Sequence, residues 1–182
     1  MTPPPPPRRA LSALVAGALA LVIAGCAGAT NRTTFPPIGT TPQPAGDSTA
    51  ATKQQVIAAL AAVGLQAVEG DRPYRPPEGP LLAAAPRSIL QVPLPDDSDP
   101  AFIVIYALGS PDDAVHAAKD HVQYIGTGNG GIQFAPDTQF VLRVVGSTVL
   151  FFTWSPANSP DARTATIAQT LSAIGTEIPL RG

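Results

Sequence analysis

His116 stands with Asp112 four residues before it and Asp120 four residues after it, a spacing that sets all three along one lane of a helix. Such a lane suits a metal ion or a proton relay, and equally a solvated face on which the acids favour the imidazolium. The helix already has an apolar stripe at Val115, Ala118, Val122 and Ile125, so His116 reads as solvated and His121, bordering the stripe, as a packing residue. Asp96-Asp97-Ser98-Asp99 offers oxygen ligands of the kind calcium takes, without the alternation and distal Glu of a calcium loop, and reads as a charged hairpin tip. Thr127-Gly128-Asn129-Gly130-Gly131 has the composition of a phosphate cradle, but it leads from helix into strand, the reverse of what an anion site needs, and reads as a flexible loop. Neither Gly-x-Ser-x-Gly nor His-Glu-x-x-His occurs, and both histidines lie on one helix, leaving none to serve a distant Ser or Asp. No catalytic residue, metal ligand or cofactor is assigned, and the chemistry left to this sequence is recognition.

Two segments carry it. Gln139–Val145 and Thr148–Trp154 flank Gly146-Ser147, a two-residue hairpin signal. That turn sets Val144 opposite Val149, Leu142 opposite Phe151 and Phe140 opposite Thr153, an apolar side that must be core. The reverse side carries Gln139, Val141, Arg143, Leu150, Phe152 and Trp154, and such a mixture of Arg and aromatic anchors is what binding patches use. It serves as a binding face where uncovered, and as packing if the proline-rich segment or the last helix lies over it. The second segment is Pro73-Tyr74-Arg75-Pro76, between Arg72 and Arg87, which as polyproline II either docks in an aromatic groove or crosses the surface as a rigid strap.

The elements that must position these groups follow from periodicity and punctuation. Thr52 with Gln55 forms a capping-box pattern ahead of Val56, Ile57, Leu60 and Val63, a short amphipathic helix closed by Gly64. A brief strand at 65–68 leads into an irregular proline-rich excursion over 70–87. Strands follow at 89–94 and 102–108; the latter is apolar on both faces and so belongs at the centre of a sheet. Ser110-Pro111-Asp112-Asp113 starts a helix that Gly126 ends, and Ser159-Pro160-Asp161 starts one that runs to Gly175. Both end in Ile-Gly-Thr, and each follows a strand pair. The expected fold is therefore α+β: an antiparallel-rich sheet with helices packed on one face, in the order α-ββα-ββα, which would fit a duplicated strand-strand-helix unit.

Ahead of the folded part, Arg8 and Arg9 precede an uncharged stretch, Ala10 to Gly25, of about 16 residues, shorter than the roughly 20 that span a bilayer. The run closes on Ile23-Ala24-Gly25-Cys26, and Cys26 is the one cysteine of the chain. These residues resemble the signal peptide and lipobox of bacterial lipoproteins. The resemblance covers 1–26 only and implies lipidation of the Cys26 sulfur, cleavage before it and acylation of the new amino terminus. Residues 1–25 are then a signal peptide, 26–51 a lipidated cysteine with a Pro/Thr/Gly-rich tether, and 52–182 a single domain. The resemblance places the protein outside the cytoplasm, anchored to the bacterial membrane through Cys26.

Without Arg8 and Arg9 the eleven basic residues fall to nine, against thirteen acidic, a formal charge of −4. No basic stripe is present to neutralise phosphates, so nucleic acid is not an expected partner. The expected role is a non-catalytic envelope module that binds a protein or cell-wall component. The alternative is a carrier of a small apolar or lipid-like ligand, marked by an apolar cavity of several hundred Å³ behind the hairpin.

Overall fold

The computed structural model describes residues 46–180. The proposed signal peptide, Cys26 and most of the tether lie outside the described residues. A 3-10 turn, Gly46–Thr49, leads into α1 (Ala50–Ala62). Then come β1 (Val68–Glu69), α2 (Pro80–Ala84), β2 (Arg87–Val92), β3 (Ala101–Ala107), α3 (Pro111–Gly126) and α4 (Gly128–Gly131). The hairpin β4 (Gln139–Val145) and β5 (Thr148–Trp154), α5 (Arg163–Ser172) and β6 (Thr176–Glu177) complete the order. Six strands form one antiparallel sheet, β1-β2-β3-β5-β4-β6. The α+β class with an antiparallel sheet is as the sequence leads one to expect, and β3 is central.

Alternation along β3 sorts the core into two layers. Ile103 and Ile105 meet Val56 and Leu60 of α1 and Ile167 and Leu171 of α5. Val104 and Tyr106 meet Ala114, Ala117 and Ala118 of α3. All four β3 side chains are at most 1% exposed, and burying residues of this size contributes about 1.5–3 kcal/mol apiece. The helices thus cover both faces of the sheet rather than one. The physical reason is that β3, β4 and β5 are apolar on both sides, so a single helical layer would leave one side wet.

The same division argues against a duplicated unit. β3 and β5 run antiparallel side by side, and the rotation that exchanges such neighbours keeps each sheet face on its own side. Yet α3 leaves β3 for one face and α5 leaves β5 for the other. The two Ser-Pro-Asp starts also part company. Ser110 caps α3, its side chain accepting from Asp113 N at 3.1 Å, whereas α5 begins only at Arg163 and Ser159 turns its hydroxyl to Asp97.

Other local differences have local causes. The capping box does not form: α1 starts at Ala50, and Thr52 Oγ1 bonds Thr148 Oγ1 at 2.9 Å instead. Thr49 is fully buried and bonds Ser88 at 2.6 Å, so packing begins ahead of Thr52. The glycine-rich loop is a helical turn, α4, with Thr127 as its cap. A Cβ on Gly130 would stand 2.0 Å from the Tyr124 carbonyl oxygen, and close approach rather than flexibility explains that glycine. The β4–β5 register is the one that Gly146-Ser147 dictates, Val145 opposite Thr148 and Gln139 opposite Trp154, with Gly146 at φ +56°.

Candidate functional site

The two central strands do not stay paired along their whole length. The β3–β5 ladder stops at Ile103 opposite Phe152. Beyond it, Ala101 and Phe102 remain with β2, and Thr153 and Trp154 remain with β4. The sheet is split at this end, and a cleft of about 420 Å³ occupies the split.

Aromatic rings line it from both sides. Tyr74, on the proline-rich strap, stacks on Phe102 at 4.2 Å and 6°. Trp154 stacks on Phe152 at 5.2 Å and 14°. Phe152 is buried, whereas Tyr74, Phe102 and Trp154 are half-buried. The rim is polar: Asp97, Ser98 and Asp99 from the β2–β3 turn face Asn158 and Ser159 from the β5–α5 loop. Thr153 also lines the cleft, and its buried Oγ1 has no hydrogen-bond partner among the described residues.

A reciprocal clasp fixes the distance between these two loops. Asp161 accepts from Asp96 N at 3.2 Å and Asp97 accepts from Asp161 N at 3.1 Å, while the Ser159 hydroxyl donates to Asp97. The Arg163 N–H holds the Asp161 carboxyl below its ordinary value, with Asp96 N–H adding to it. Asp137 braces the same loop from below, accepting from Ala157 N at 2.8 Å and from Ser155 at 2.7 Å, and these bonds lower its pKa. Unlike Asp97 and Asp161, Asp99 receives no backbone donor, only the Ser98 hydroxyl at 3.5 Å. It is 70% exposed, with Arg72 at 3.9 Å.

A second polar assembly lies on the α3 face. Glu78, with 1% of its side chain exposed, receives Arg87, Arg75 Nε at 3.2 Å and the Tyr106 hydroxyl at 2.6 Å. Arg87 is 3% exposed, gives a further bond to Ala83 O at 3.2 Å and sits 5.2 Å from the Tyr106 ring centre. Burial, then the Glu78 charge, drives the Tyr106 pKa well up. Next along the strap, Gly79 N donates to His121 Nδ1 at 3.2 Å. His121 is fully buried, edge-on to Phe151 at 4.6 Å, and burial lowers its pKa to about 4. It is a neutral acceptor at ordinary pH. These groups have the types of a catalytic site, and Arg87 Nε and His121 Nε2 are buried without a hydrogen-bond partner among the described residues. The bonds that do form, from Arg87, Arg75 and Tyr106 to Glu78 and from Gly79 N to His121, pin the strap to the sheet.

The hairpin's mixed face is covered by α1 and α5. Val141, Leu150 and Phe152 are buried there. Arg143 turns to the Ile174 and Gly175 carbonyls at 2.8 and 2.9 Å and to Glu177 at 3.4 Å. Gln139 is exposed and bonds Asp137 O at 3.1 Å. Of that face Trp154 reaches the cleft's mouth. The segment Pro73-Tyr74-Arg75-Pro76 is engaged with its own domain through the Tyr74 stack, the Arg75–Glu78 pair and buried Pro76, while Pro73 is exposed. His116 is exposed, as its lane predicts. No group of three or more His, Cys, Asp or Glu among the described residues is arranged to hold a metal ion. No helix among them is long and apolar enough to cross a membrane.

Sequence reasoning missed the split sheet and the Glu78 latch. The latch had a faint signal, a Tyr within the apolar run 102–108 and an Arg closing the proline-rich excursion. The split had none, because it depends on which strands meet. Compared with protein-family models, curated proteins and solved structures, the chain matches none.

Proposed function

We propose that this chain is a lipid-anchored module of the bacterial cell envelope whose folded domain binds a protein or cell-wall component without transforming it. The lipobox-like Ile23-Ala24-Gly25-Cys26 supports the anchor. The observation that carries the binding role is the cleft itself: half-buried Trp154, Tyr74 and Phe102 around a polar rim, at an open strand end. Interfaces favour such aromatic anchors, set in a pocket and ringed by polar groups. A carrier of apolar ligands calls for an enclosed apolar cavity behind the hairpin, and there the α1–α5 layer packs Leu150 and Phe152 to 1% exposure or less.

The test is in-cell crosslinking of the full chain. A photoreactive residue at Asn158, on the rim, is expected to trap a partner that the same residue at Lys119, exposed on α3, does not. Equal capture at both positions, or none at either, overturns the assignment to this cleft. Cys26→Ser is expected to release the chain from the membrane fraction, and persistent attachment overturns the anchor.

A further inference from the structure

Around the cleft's mouth the charges do not balance. Asp96, Asp97, Asp99 and Asp161 stand on the two clasped loops, against Arg72 and Arg163. Among the described residues, no Lys, Arg or His lines the cleft. Arg72 relieves little of the excess, because its pair with Asp99 is 3.9 Å long between side chains 61% and 70% exposed, and exposed pairs of this kind contribute little. The walls beneath are the faces and edges of Tyr74, Phe102 and Trp154, and aromatic faces attract a cation brought within about 6 Å.

From this juxtaposition, a rim of net negative charge over an open aromatic cleft, we infer that the occupant is a lysine- or arginine-bearing segment of a partner protein, its cationic side chain seated among the rings and its charge facing Asp99. The inference rests on the binding role assigned to the cleft above and names the chemistry that the role requires. Three features favour a segment over a small amine. The volume of about 420 Å³ exceeds what one ammonium-bearing chain fills, the cleft is open along the split, and Asn158 and Ser98 on the exposed rim offer hydrogen bonds that a peptide backbone can use. An anionic ligand is disfavoured by the same charges, since like charges placed together across an interface cost affinity.

Trp154 is the sole tryptophan of the chain, so its fluorescence reports on the cleft alone. The full-length protein is titrated with three Trp-free pentapeptides, Ac-Ala-Ala-X-Ala-Ala-NH2, in which X is Lys, norleucine or Glu, and with n-butylammonium. The Lys peptide is expected to bind at least tenfold more tightly than the norleucine peptide and to weaken as salt rises, the Glu peptide to leave the emission unchanged, and n-butylammonium to bind more weakly than the Lys peptide. Asp99→Asn is expected to erase most of the Lys preference while leaving the norleucine affinity alone. Norleucine or Glu binding as tightly as Lys overturns the cationic class and leaves the cleft a binding site. Butylammonium matching the Lys peptide overturns the choice of a protein segment. Silence from all four probes overturns this inference, while the crosslinking at Asn158 judges the binding role separately.

Discussion

The buried latch around Glu78 and the open cleft around Asp99 use the same chemical groups to opposite ends. In the latch a carboxylate meets two guanidiniums and a phenol with 1% of its side chain exposed, so its charge is matched inside the fold. In the cleft, Asp99 is 70% exposed, its nearest cation 3.9 Å away, and the rings beside it are half-covered. One strap serves both, since Glu78 fastens it to the sheet and Tyr74, four residues earlier, forms the cleft wall. The difference teaches where polar groups are committed to folding and where they are left for a partner.

The sharpest way to break this contrast is at Glu78. Glu78→Ala leaves Arg87 buried without its carboxylate, and breaking a buried pair from one side costs about 3–5 kcal/mol. A urea titration is expected to show that loss, and a double change, Glu78→Leu with Arg87→Leu, is expected to recover part of it because no charge is then stranded. A loss below about 1 kcal/mol in the single variant would make the latch no more than a surface pair.

Next in size is the effect of pH on His121. Its folded value of about 4 lies below the ordinary 6.5, so the unfolded chain takes up a proton first as pH falls. Stability is full above pH 6.5 and is lost as pH falls toward 4, by about 3 kcal/mol across the window at 1.36 kcal/mol per unit. Asp137 and Asp161, whose carboxyls sit below their ordinary 3.8, add losses only under that value. Urea midpoints at pH 7 and pH 5 are expected to separate in the natural chain and to draw together in His121→Leu. A slope unchanged by that substitution would remove His121 from the latch.

What the sequence made legible were the local parts. The Ser110 cap, the Gly146-Ser147 register and the central place of β3 are set by residues within a few positions of one another or by one run's composition. The cleft was legible only in pieces. Trp154 and Tyr74 were singled out, but as members of two separate surfaces, because nothing in a linear chain says that the strap crosses the end of β3. The mixed hairpin face went the other way: an Arg and a Gln among apolar residues resembled a patch, yet Arg143 finds its partners in the Ile174 and Gly175 carbonyls at the end of α5. Residues that satisfy each other across thirty positions look unsatisfied when read one at a time.

A smaller effect is expected at the clasp that frames the cleft. Asp97→Ala removes the acceptor of the Ser159 hydroxyl and of Asp161 N. Hydrogen bonds to a carboxylate contribute more than neutral ones, but Asp97 is only half-buried, so losing the two should lower stability by about 2 kcal/mol. The larger readout is local: freed loops should let acrylamide quench Trp154 more readily than in the natural chain. Unchanged quenching would show that the loops keep their spacing without Asp97.

The smallest effect on stability belongs to Asp99, and there the comparison is at its most exacting. Its carboxylate is mostly in water, its pair with Arg72 is long, and it holds no backbone donor, so Asp99→Asn should move the unfolding midpoint by less than about 0.5 kcal/mol. A group that contributes so little to the fold is free to contribute to a partner, and the same variant should lose most of its preference for the Lys peptide over norleucine. The two measurements have to diverge. If Asp99→Asn destabilised the domain as Glu78→Ala does, the rim acid would be a second latch, and the distinction between a charge matched within the fold and one left at the mouth of the cleft would not hold.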